Sequence, residues 1–377
     1  MKSAGMFEEK NDVYDEFPIK LSSAKAWRTY RGGKLLAELH GECASDSNYP
    51  EEWIASCVCA RNTDREDARE EGLSKLADAP EISLKEVIEK NPERLLGEEH
   101  AKQFGTSMGV LVKLIDSSER LTIQVHPDRD KARVLFHSSY GKTECWHIIG
   151  GRNIRGESPC IYLGFQEWIT KDRWKELFEK QDINGMLSCL HKFEVHSGDT
   201  VYIEGGVPHA IGAGCFLVEI QEPTDYTLRV ERITESGLPV SEFMCHQGIG
   251  FKKMLDCFQY EGLNRKEAEH RWFVNREIVE CQEGGTLHAL IGAKQTGLFH
   301  LEILEIETEF QVKKPLIFTG MYVLEGKGIV STSKKKETIK QGEQFFIPAI
   351  IPEFLVRNQS DKLLRILLFG GPNIMRG

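Results

Sequence analysis

The sequence predicts a mostly β protein with helical insertions, and three observations support that class. Apolar and polar residues alternate over Leu121–Asp128, as in a strand with one buried face. The stretch Gly285–Phe369 is rich in β-branched and aromatic residues and is divided by glycine-containing turns, a pattern typical of a small barrel or sandwich. The third observation is an internal repeat, described below.

Shorter patterns predict the elements in order. Residues 1–60 are predicted to form short strands and loops, with candidate strands at Leu35–Leu39 and Trp53–Val58. Residues 83–104 are predicted to be helical, because Ser83 can cap a helix and Glu86 stands where a capping box requires it. Strand patterns return over residues 109–126, and helical periodicity recurs at 172–179, 184–190 and 241–258.

Two segments resemble each other closely enough to indicate a duplicated β unit. They are Gly198–Ile211 and Gly342–Leu355, and each follows an apolar strand-like run. The first copy carries about 32 more residues than the second between these parts. The extra residues coincide with the helical stretch near 166–192, so the insertion is predicted to be helical.

The two copies differ in their polar residues. When Gly198–Ile211 is matched with Gly342–Leu355, His209 corresponds to Glu353, and in the runs that precede these segments Glu144 is predicted to correspond to Gly320. The first copy therefore keeps possible metal ligands, and the second copy is predicted to be structural.

Composition and charge exclude several classes of protein. Hydrophobic residues make up 40% and charged residues 28% of the 377 residues, as in ordinary globular proteins. No apolar run approaches the roughly 20 residues of a membrane span, and the first ten residues lack the apolar core of a signal peptide. We therefore expect a cytoplasmic protein without a membrane partner. The net charge of -10 argues against nucleic acid as a partner.

The cysteines and the basic triplet Lys334–Lys336 are predicted to be structural features and not binding sites. The ten cysteines include no Cys-x-x-Cys pair, so they are predicted to be reduced and mostly buried, and zinc bound through cysteine is not expected. The lysine triplet lies between two strand-like runs and is predicted to be a solvated hairpin tip.

Four residues form a candidate metal-binding set. Gln124 and His126 are two positions apart in a strand pattern and so project from one face, and Glu144 and His209 follow later in the chain. This mixed oxygen and nitrogen set suits a divalent transition metal. Taken alone, His126 could be a surface histidine at a strand end, and Glu144 could pair with Lys142 on a solvated face. The four residues together favour the metal site.

The residues around this set resemble a known family. Four motifs, Ile-Gln-Val-His-Pro-Asp, Gly-Lys-Thr-Glu-Cys-Trp, Pro-His-Ala-Ile-Gly and Glu-Ile-Gln-Glu-Pro-Thr-Asp-Tyr-Thr-Leu-Arg, occur in this order in type I phosphomannose isomerases, which are zinc enzymes that interconvert mannose 6-phosphate and fructose 6-phosphate. The histidine of the third motif lies in a segment that resembles the second half of a cupin metal motif. The resemblance covers roughly residues 25–370 and is strongest at the four motifs.

The resemblance implies two cupin-like β-barrels of the jelly-roll type with helical insertions. It implies one Zn2+ per chain, with other divalent transition metals possible, held by Gln124, His126, Glu144 and His209, and a monomer or homodimer acting on a small sugar phosphate. The expected organisation is a metal-binding catalytic domain of residues 1–82 and 109–240, a helical insertion of 83–108, a helical connector of 241–284, and a C-terminal cupin-like domain of 285–377 without metal.

The resemblance also implies the catalytic residues Lys142, Glu219 and Arg229. Aldose–ketose isomerisation moves a proton between C1 and C2, and Glu219 is the leading candidate for the shuttle. Lys142 is expected to hydrogen-bond a sugar hydroxyl or to assist proton transfer between oxygens, and Arg229 to hold phosphate or enediolate charge. Alternatively, Glu219 and Arg229 form a buried ion pair. Thr122, which stands where the family usually has serine, completes the expected substrate-binding residues with Lys142 and Arg229.

Three other functions are open at this stage. The Val-Glu-Arg-Ile-Thr-Glu segment after Arg229 departs from the family pattern near the expected phosphate contacts, which leaves open a paralogous enzyme that acts on another sugar or sugar phosphate. A cupin dioxygenase or epimerase with the same metal cage is the second alternative, but oxygenase cages usually present more histidines. A sugar-binding module without turnover is the third. The intact Lys142, Glu219 and Arg229 argue against it, because binding alone needs no proton shuttle.

Overall fold

The structure, a computed structural model, describes residues 16–62 and 70–373 of the chain. Within these residues strands predominate, and the helices are short. The strands are β1 (Ile19–Leu21), β2 (Ala24–Ala26), β3 (Glu51–Ile54), β4 (Leu111–Asp116), β5 (Gln124–Val125), β6 (Glu144–Gly151), β7 (Cys160–Gln166), β8 (Leu190–Glu194), β9 (Thr200–Ile203), β10 (His209–Ile211), β11 (Cys215–Gln221), β12 (Leu228–Arg229), β13 (Gly262–Leu263), β14 (Glu277–Gln282), β15 (Gly285–Ile291), β16 (His300–Ile306), β17 (Glu309–Lys313), β18 (Thr319–Glu325), β19 (Lys327–Ser331), β20 (Lys336–Lys340), β21 (Gln344–Ile347), β22 (Glu353–Asn358) and β23 (Leu364–Gly370).

The helices are α1 (Lys34–His40), α2 (Leu84–Lys90), α3 (Pro92–Leu96), α4 (Glu98–Phe104), α5 (Arg129–Phe136), α6 (Lys171–Lys180), α7 (Ile183–Ser188), α8 (Glu242–His246), α9 (Phe251–Leu255) and α10 (Arg265–Trp272). Several begin at side chains that accept a backbone N–H of the first turn. Ser83 and Glu86 form the predicted capping box of α2, and Asp128 caps α5. None of the helices in the described ranges combines the length and apolar character that a membrane-spanning helix needs.

The strands form four sheets, antiparallel except where β13 pairs with β7. Sheet 1 has the order β2-β3-β4-β11-β6-β9, and sheet 2 the order β12-β5-β10-β7-β13, with β8 also on β7. Sheet 3 has the order β1-β21-β18-β23-β16-β15-β14, and sheet 4 the order β17-β22-β19-β20. The mostly β class with helical insertions is therefore confirmed.

Three buried clusters show how the sheets pack. Trp146 of sheet 1 and Ile161 of sheet 2 belong to one apolar cluster, so these sheets face each other and form what we call the first β unit. Val323 of sheet 3 and Phe354 of sheet 4 belong to another cluster, which defines the second β unit. A third cluster joins the outer faces of sheets 1 and 3, with Val218 among its members, and holds the two units together.

Some local predictions are confirmed. Residues 285–369 form strands β15 to β23 with turns between them. The predicted hairpin tip is confirmed, because Lys334 and Lys335 lie in the turn that joins β19 to β20, Lys336 begins β20, and all three are exposed. The helical insertion of the first copy is confirmed as α6 and α7, which lie between β7 and β8. All ten cysteines are free, and six of them are buried.

Other local predictions are wrong. Leu35–Leu39 lies in α1 rather than in a strand, because a short apolar run of leucine, alanine and glutamate suits a buried helix equally well. The strand predicted at Trp53–Val58 ends at Ile54. Helices α8 to α10 lie within 241–284, but residues 277–282 form β14, which pairs with β15. The N-terminal strand β1 pairs with β21 and so belongs to sheet 3.

The repeat is present, but the predicted correspondence between β6 and β18 is wrong by one residue. Glu144 pairs with Ile203 of β9, and Thr319 pairs with Ile347 of β21. Because Ile203 and Ile347 occupy the same place in the two repeated segments, the counterpart of Glu144 is Thr319 and not Gly320. Side chains alternate between the two faces of a strand, so Glu144 and Gly320 lie on opposite faces of their equivalent strands.

Candidate metal centre and active site

The four predicted metal-binding residues lie together inside the first β unit. His209 at the start of β10 pairs directly with Gln124 of β5. His126 follows β5, and Glu144 opens β6 in the facing sheet. Ligand atoms of His126, Glu144 and His209 all lie within 4.8 Å of one another, and all four residues are buried.

The two histidines are oriented by backbone carbonyls. Nδ1 of His126 donates to the carbonyl of Tyr226 at 2.7 Å, and Nδ1 of His209 donates to that of Val207 at 2.9 Å. Each Nε2 atom is therefore the unprotonated nitrogen of a neutral imidazole, and the two Nε2 atoms are 3.1 Å apart. Burial lowers the pKa of both rings, that of His126 to about 3, where the charge of Lys142 also contributes.

The surrounding atoms fit a divalent cation. Oε1 of Glu144 is buried without a hydrogen-bond partner, which is costly unless an ion satisfies it. It lies 3.3 Å from Nε2 of His209, and the side-chain amide of Gln124 is also 3.3 Å from that nitrogen. Two imidazole lone pairs, one orphaned carboxylate oxygen and one amide thus converge on a small volume, and they are ligands that zinc and similar metals accept.

Lys142 lies beside this cluster, in the loop before β6. Its Nζ donates to Oε2 of Glu144 at 2.5 Å and to Nε2 of His126 at 2.7 Å. The pairing of Glu144 with Lys142 does occur, but its predicted solvated setting is wrong, because the side chains are 0% and 3% exposed.

Glu219 on β11 is held by two donors. Oε1 accepts from Nζ of Lys113 at 3.0 Å, and Oε2 accepts from Nε1 of Trp146 at 3.0 Å. The register of β4 and β11 places Lys113 directly opposite Glu219. Burial alone would lower the pKa of Lys113, but the carboxylates of Glu219 and Glu51 raise it above its ordinary value.

The alternative ion pair between Glu219 and Arg229 is wrong. Lys113 is the cation at Glu219, whereas Arg229 of β12 donates through Nη1 to the carbonyls of Thr227 at 3.3 Å and Met244 at 3.0 Å. Burial lowers the pKa of Arg229, although the charge of Asp225 opposes the shift. In the part of the chain that the structure describes, Arg229 has no carboxylate within ion-pair distance.

Gln124, Lys142, Glu219 and Arg229 line one cleft, which together with its open mouth encloses about 570 Å3. His126 and Glu144 are in contact with the cleft residue Lys142. Thr122 is on the wall of the cleft, as predicted. The cleft has five cationic side chains, and each except Arg229 is paired with a carboxylate: Arg28 with Glu51 and Asp225, Lys113 with Glu219, Arg120 with Glu231, and Lys142 with Glu144.

Sequence reasoning missed several of the charged groups in the cleft. Lys113 could have been found, because it interrupts the otherwise apolar run Val110–Ile115. Arg28 and Glu51 lie far away along the chain in segments without a motif. They meet at 2.9 Å only because β2 and β3 pair with each other at the edge of sheet 1.

Comparisons with known proteins agree with this geometry. A family model described as the catalytic domain of type I phosphomannose isomerase matches residues 44–143. YvyI of Bacillus subtilis (strain 168), provisionally named a mannose-6-phosphate isomerase, is 26% identical over 348 residues, which cover 90% of this chain and 93% of YvyI. The chain is thus similar in sequence to type I phosphomannose isomerases.

Other relatives and structures of that family extend the comparison. The mannose-6-phosphate isomerase ManA of the same strain is 23% identical over 278 residues, which cover 71% of this chain and 78% of ManA. A crystal structure of the Bacillus subtilis mannose 6-phosphate isomerase has a TM-score of 0.72 at 23% identity and covers 93% of this chain and 99% of its own. A zinc-bound mannose 6-phosphate isomerase has a TM-score of 0.69 at 15% identity, covering 94% and 99% of the two chains, so the fold of the family is shared.

Proposed function

We propose that this protein is a metal-dependent isomerase that interconverts mannose 6-phosphate and fructose 6-phosphate. The observation that carries the proposal is that one cleft is lined by Gln124 of the buried metal-ligand cluster, by the carboxylate of Glu219, and by Arg229, which has no carboxylate partner among the described residues. The match of residues 44–143 to the phosphomannose isomerase family model and the name of ManA support this choice of reaction and substrate.

We propose that Gln124, His126, Glu144 and His209 hold one zinc ion per chain. The orphaned oxygen of Glu144 and the facing nitrogens of the two histidines support this set. Zinc is favoured over other divalent metals by the zinc-bound enzyme of the same fold. A zinc ion bound there would supply Lewis-acid stabilisation for negative charge on a substrate oxygen.

Glu219 is the proposed proton shuttle between C1 and C2 of the sugar. Its carboxylate takes the proton from C2 and negative charge develops on O1 of the enediolate. The hydroxyl proton then moves from O2 to O1, and Glu219 returns its proton to C1 as O2 becomes the carbonyl oxygen. Lys113 and Trp146 each donate a hydrogen bond to one of its oxygens, and this fixes the carboxylate in one orientation. Lys142 is proposed to hydrogen-bond the substrate oxygens as they gain and lose protons.

Arg229 is the proposed phosphate-binding residue. A guanidinium group donates in a planar fork that suits phosphate oxygens, and a cation already paired with a carboxylate would have to give up that pair to bind. Among the described residues of the cleft, Arg229 is the cation to which this cost does not apply. The hydroxyl of Thr122 on the same wall is proposed to assist it.

For the architecture, we propose that each β unit is a cupin-like jelly-roll barrel and that only the first binds metal. The facing pairs of antiparallel sheets, each with its own apolar core, support this proposal. Of the expected segments 1–82 and 109–240, the described residues would form most of the first barrel, with 83–108 inserted and 241–284 as connector. Strands β1 and β14 would then belong to the second barrel with residues 285–373. The remaining parts of the expected segments, residues 1–15, 63–69 and 374–377, lie outside the described residues.

The test is an isomerase assay on protein loaded with zinc. Mannose 6-phosphate, fructose 6-phosphate, mannose and fructose are supplied separately, and products are followed over time. We expect turnover of the two phosphorylated sugars, loss of turnover after chelation, and recovery when zinc is returned. Turnover of only the free sugars would overturn the proposed substrate, and unchanged turnover after complete metal removal would overturn the proposed mechanism.

A further inference from the structure

Glu222 is a buried carboxylate outside the wall of the cleft. It follows the last residue of β11 and is 0% exposed. Oε1 accepts from Nε of Arg129 at 2.6 Å and from the backbone N–H of Gly141 at 3.3 Å, while Oε2 accepts from the backbone N–H of Thr143 at 3.0 Å. One side chain therefore binds the backbone on both sides of Lys142.

The loop that Glu222 holds has little freedom to move. The N–H of Lys142 donates to the carbonyl of Pro127 at 3.0 Å, and the hydroxyl of Thr224 donates to the carbonyl of Gly141 at 2.6 Å. A Cβ atom on Gly141 would lie only 2.7 Å from the carbonyl oxygen of Pro127. These contacts fix the main chain from which the Lys142 side chain reaches Glu144 and His126.

We propose that Glu222 is a positioning residue that sets the placement of Lys142 and Glu144 at the metal centre. This inference rests on the proposed metal-dependent function. A carboxylate suits the task because both of its oxygens accept, so it can satisfy two N–H groups and a guanidinium at once. A neutral amide has only one accepting oxygen, and its NH2 group would face an N–H donor.

The first experiment is Glu222→Gln, with zinc affinity measured by chelator competition and with kcat and KM measured separately. Groups that orient metal ligands typically cost about 10–100-fold in metal affinity when they are changed. We expect a loss of zinc affinity in that range and a fall in kcat larger than the change in KM. Unchanged zinc affinity and kcat would overturn the proposal.

The matched control is Asp116→Asn. Asp116 is also 0% exposed and accepts two backbone N–H groups, those of Gly33 at 3.0 Å and Leu35 at 2.7 Å, with Arg152 at 3.8 Å. It does not line the cleft. We expect Asp116→Asn to lower the melting temperature without changing zinc affinity. An equal loss of zinc affinity in both variants would assign the effect of Glu222 to general destabilisation.

A double variant separates positioning from charge balance. If Glu222 serves only to neutralise Arg129, Arg129→Met should restore the zinc affinity and kcat of Glu222→Gln. We expect no restoration, because the N–H groups of Gly141 and Thr143 would still lack their acceptor. Recovery of zinc affinity and kcat to within about twofold of the wild-type values would overturn the proposal. A group that orients metal ligands is expected to change metal affinity by about 10–100-fold.

The zinc measurement also distinguishes this inference from the proposed reaction. Wild-type protein that binds zinc but turns over no sugar phosphate would contradict the reaction and still allow the Glu222 comparison. Wild-type protein that binds no zinc would overturn both.

Discussion

The two β units have equivalent hydrogen-bond frameworks but different side chains at equivalent places. In the first unit, Ile148 N–H donates to the carbonyl of Asp199, and in the second unit Val323 N–H donates to that of Glu343. These equivalent hydrogen bonds match β6 with β18 and β9 with β21. From there the strand registers identify the counterpart of each paired residue in the neighbouring strands. Glu144 corresponds to Thr319, as shown above.

The same registers identify the other counterparts. His209 lies six residues after Ile203 and Glu353 lies six after Ile347, and their partners across the strands are Gln124 and Lys313. The second unit thus has lysine, threonine and glutamate where the first has glutamine, glutamate and histidine. Lys313 and Glu353 are exposed, whereas Gln124 and His209 are buried. The comparison shows that equivalent strand pairing holds a buried set of possible metal ligands in one unit and exposed charged residues in the other.

The ion pair of Glu219 with Lys113 also has no equivalent among the described residues of the second unit. Glu219 pairs across the sheets with Trp146 and Lys113, and the corresponding residues of the second unit are Leu368, Met321 and Glu302. Glu302 therefore stands opposite a leucine instead of a charged partner. Burial raises its pKa to about 7.

The largest effect is expected when a metal-binding residue is replaced by its counterpart. Glu144→Thr removes the orphaned carboxylate oxygen and leaves Lys142 without its anion, so we expect loss of bound zinc by elemental analysis and loss of turnover. Glu353→Gln in the second unit is the control and should change neither. Stoichiometric zinc in Glu144→Thr would contradict the assignment of Glu144.

Glu219→Gln should separate proton transfer from metal binding. The amide keeps the shape of the side chain but has no basic oxygen, so we expect kcat to fall by about 10²–10⁴-fold with zinc retained. The measurements are kcat and zinc content of the same preparation. Turnover close to that of the wild type would exclude Glu219 as the shuttle.

Arg229 lies on β12, a strand that has no counterpart in the described part of the second unit. In the first unit β12 pairs with β5, whereas the strand equivalent to β5 in the second unit, β17, is at the edge of sheet 4 within the described residues. A hydrogen bond to a charged group contributes about 1.5–3 kcal/mol. We expect Arg229→Ala to lower kcat/KM for mannose 6-phosphate by about 10–100-fold, with a smaller effect on any turnover of free mannose. An equal loss on both sugars would instead assign Arg229 to the reacting carbons or to folding.

The smallest effect concerns stability in the second unit. Because the folded-state pKa of Glu302 is raised from 4.5 to about 7, the folded protein keeps the proton longer than the unfolded chain, and stability falls as the pH rises through this interval. Glu302→Gln does not ionise, so its free energy of unfolding at pH 8 should exceed that of the wild type by about 1–3 kcal/mol.

Urea unfolding of the two proteins at pH 4 and pH 8 measures this difference. Isomerase activity should be unchanged, since Glu302 lies in the unit without the metal cluster. A difference between the proteins that is the same at both pH values would show that Glu302 does not titrate abnormally.

The sequence by itself determined the β class, the internal repeat and the convergence of Gln124, His126, Glu144 and His209. Alternation along a strand and the order of motifs are local properties, and they remain legible without coordinates. The helix at Lys34–His40 was missed for a related reason, since a short apolar run does not distinguish a buried helix from a buried strand.

Only the tertiary structure decided which charged groups meet. Lys113 rather than Arg229 pairs with Glu219, Arg28 reaches Glu51, and Glu222 binds the loop of Lys142. Strand register sets the first of these contacts, and a shift of one residue turns a side chain to the other face, as the comparison of Glu144 with Thr319 shows. Pairing of a buried charge depends on partners that are distant along the chain, so composition and spacing alone do not specify it.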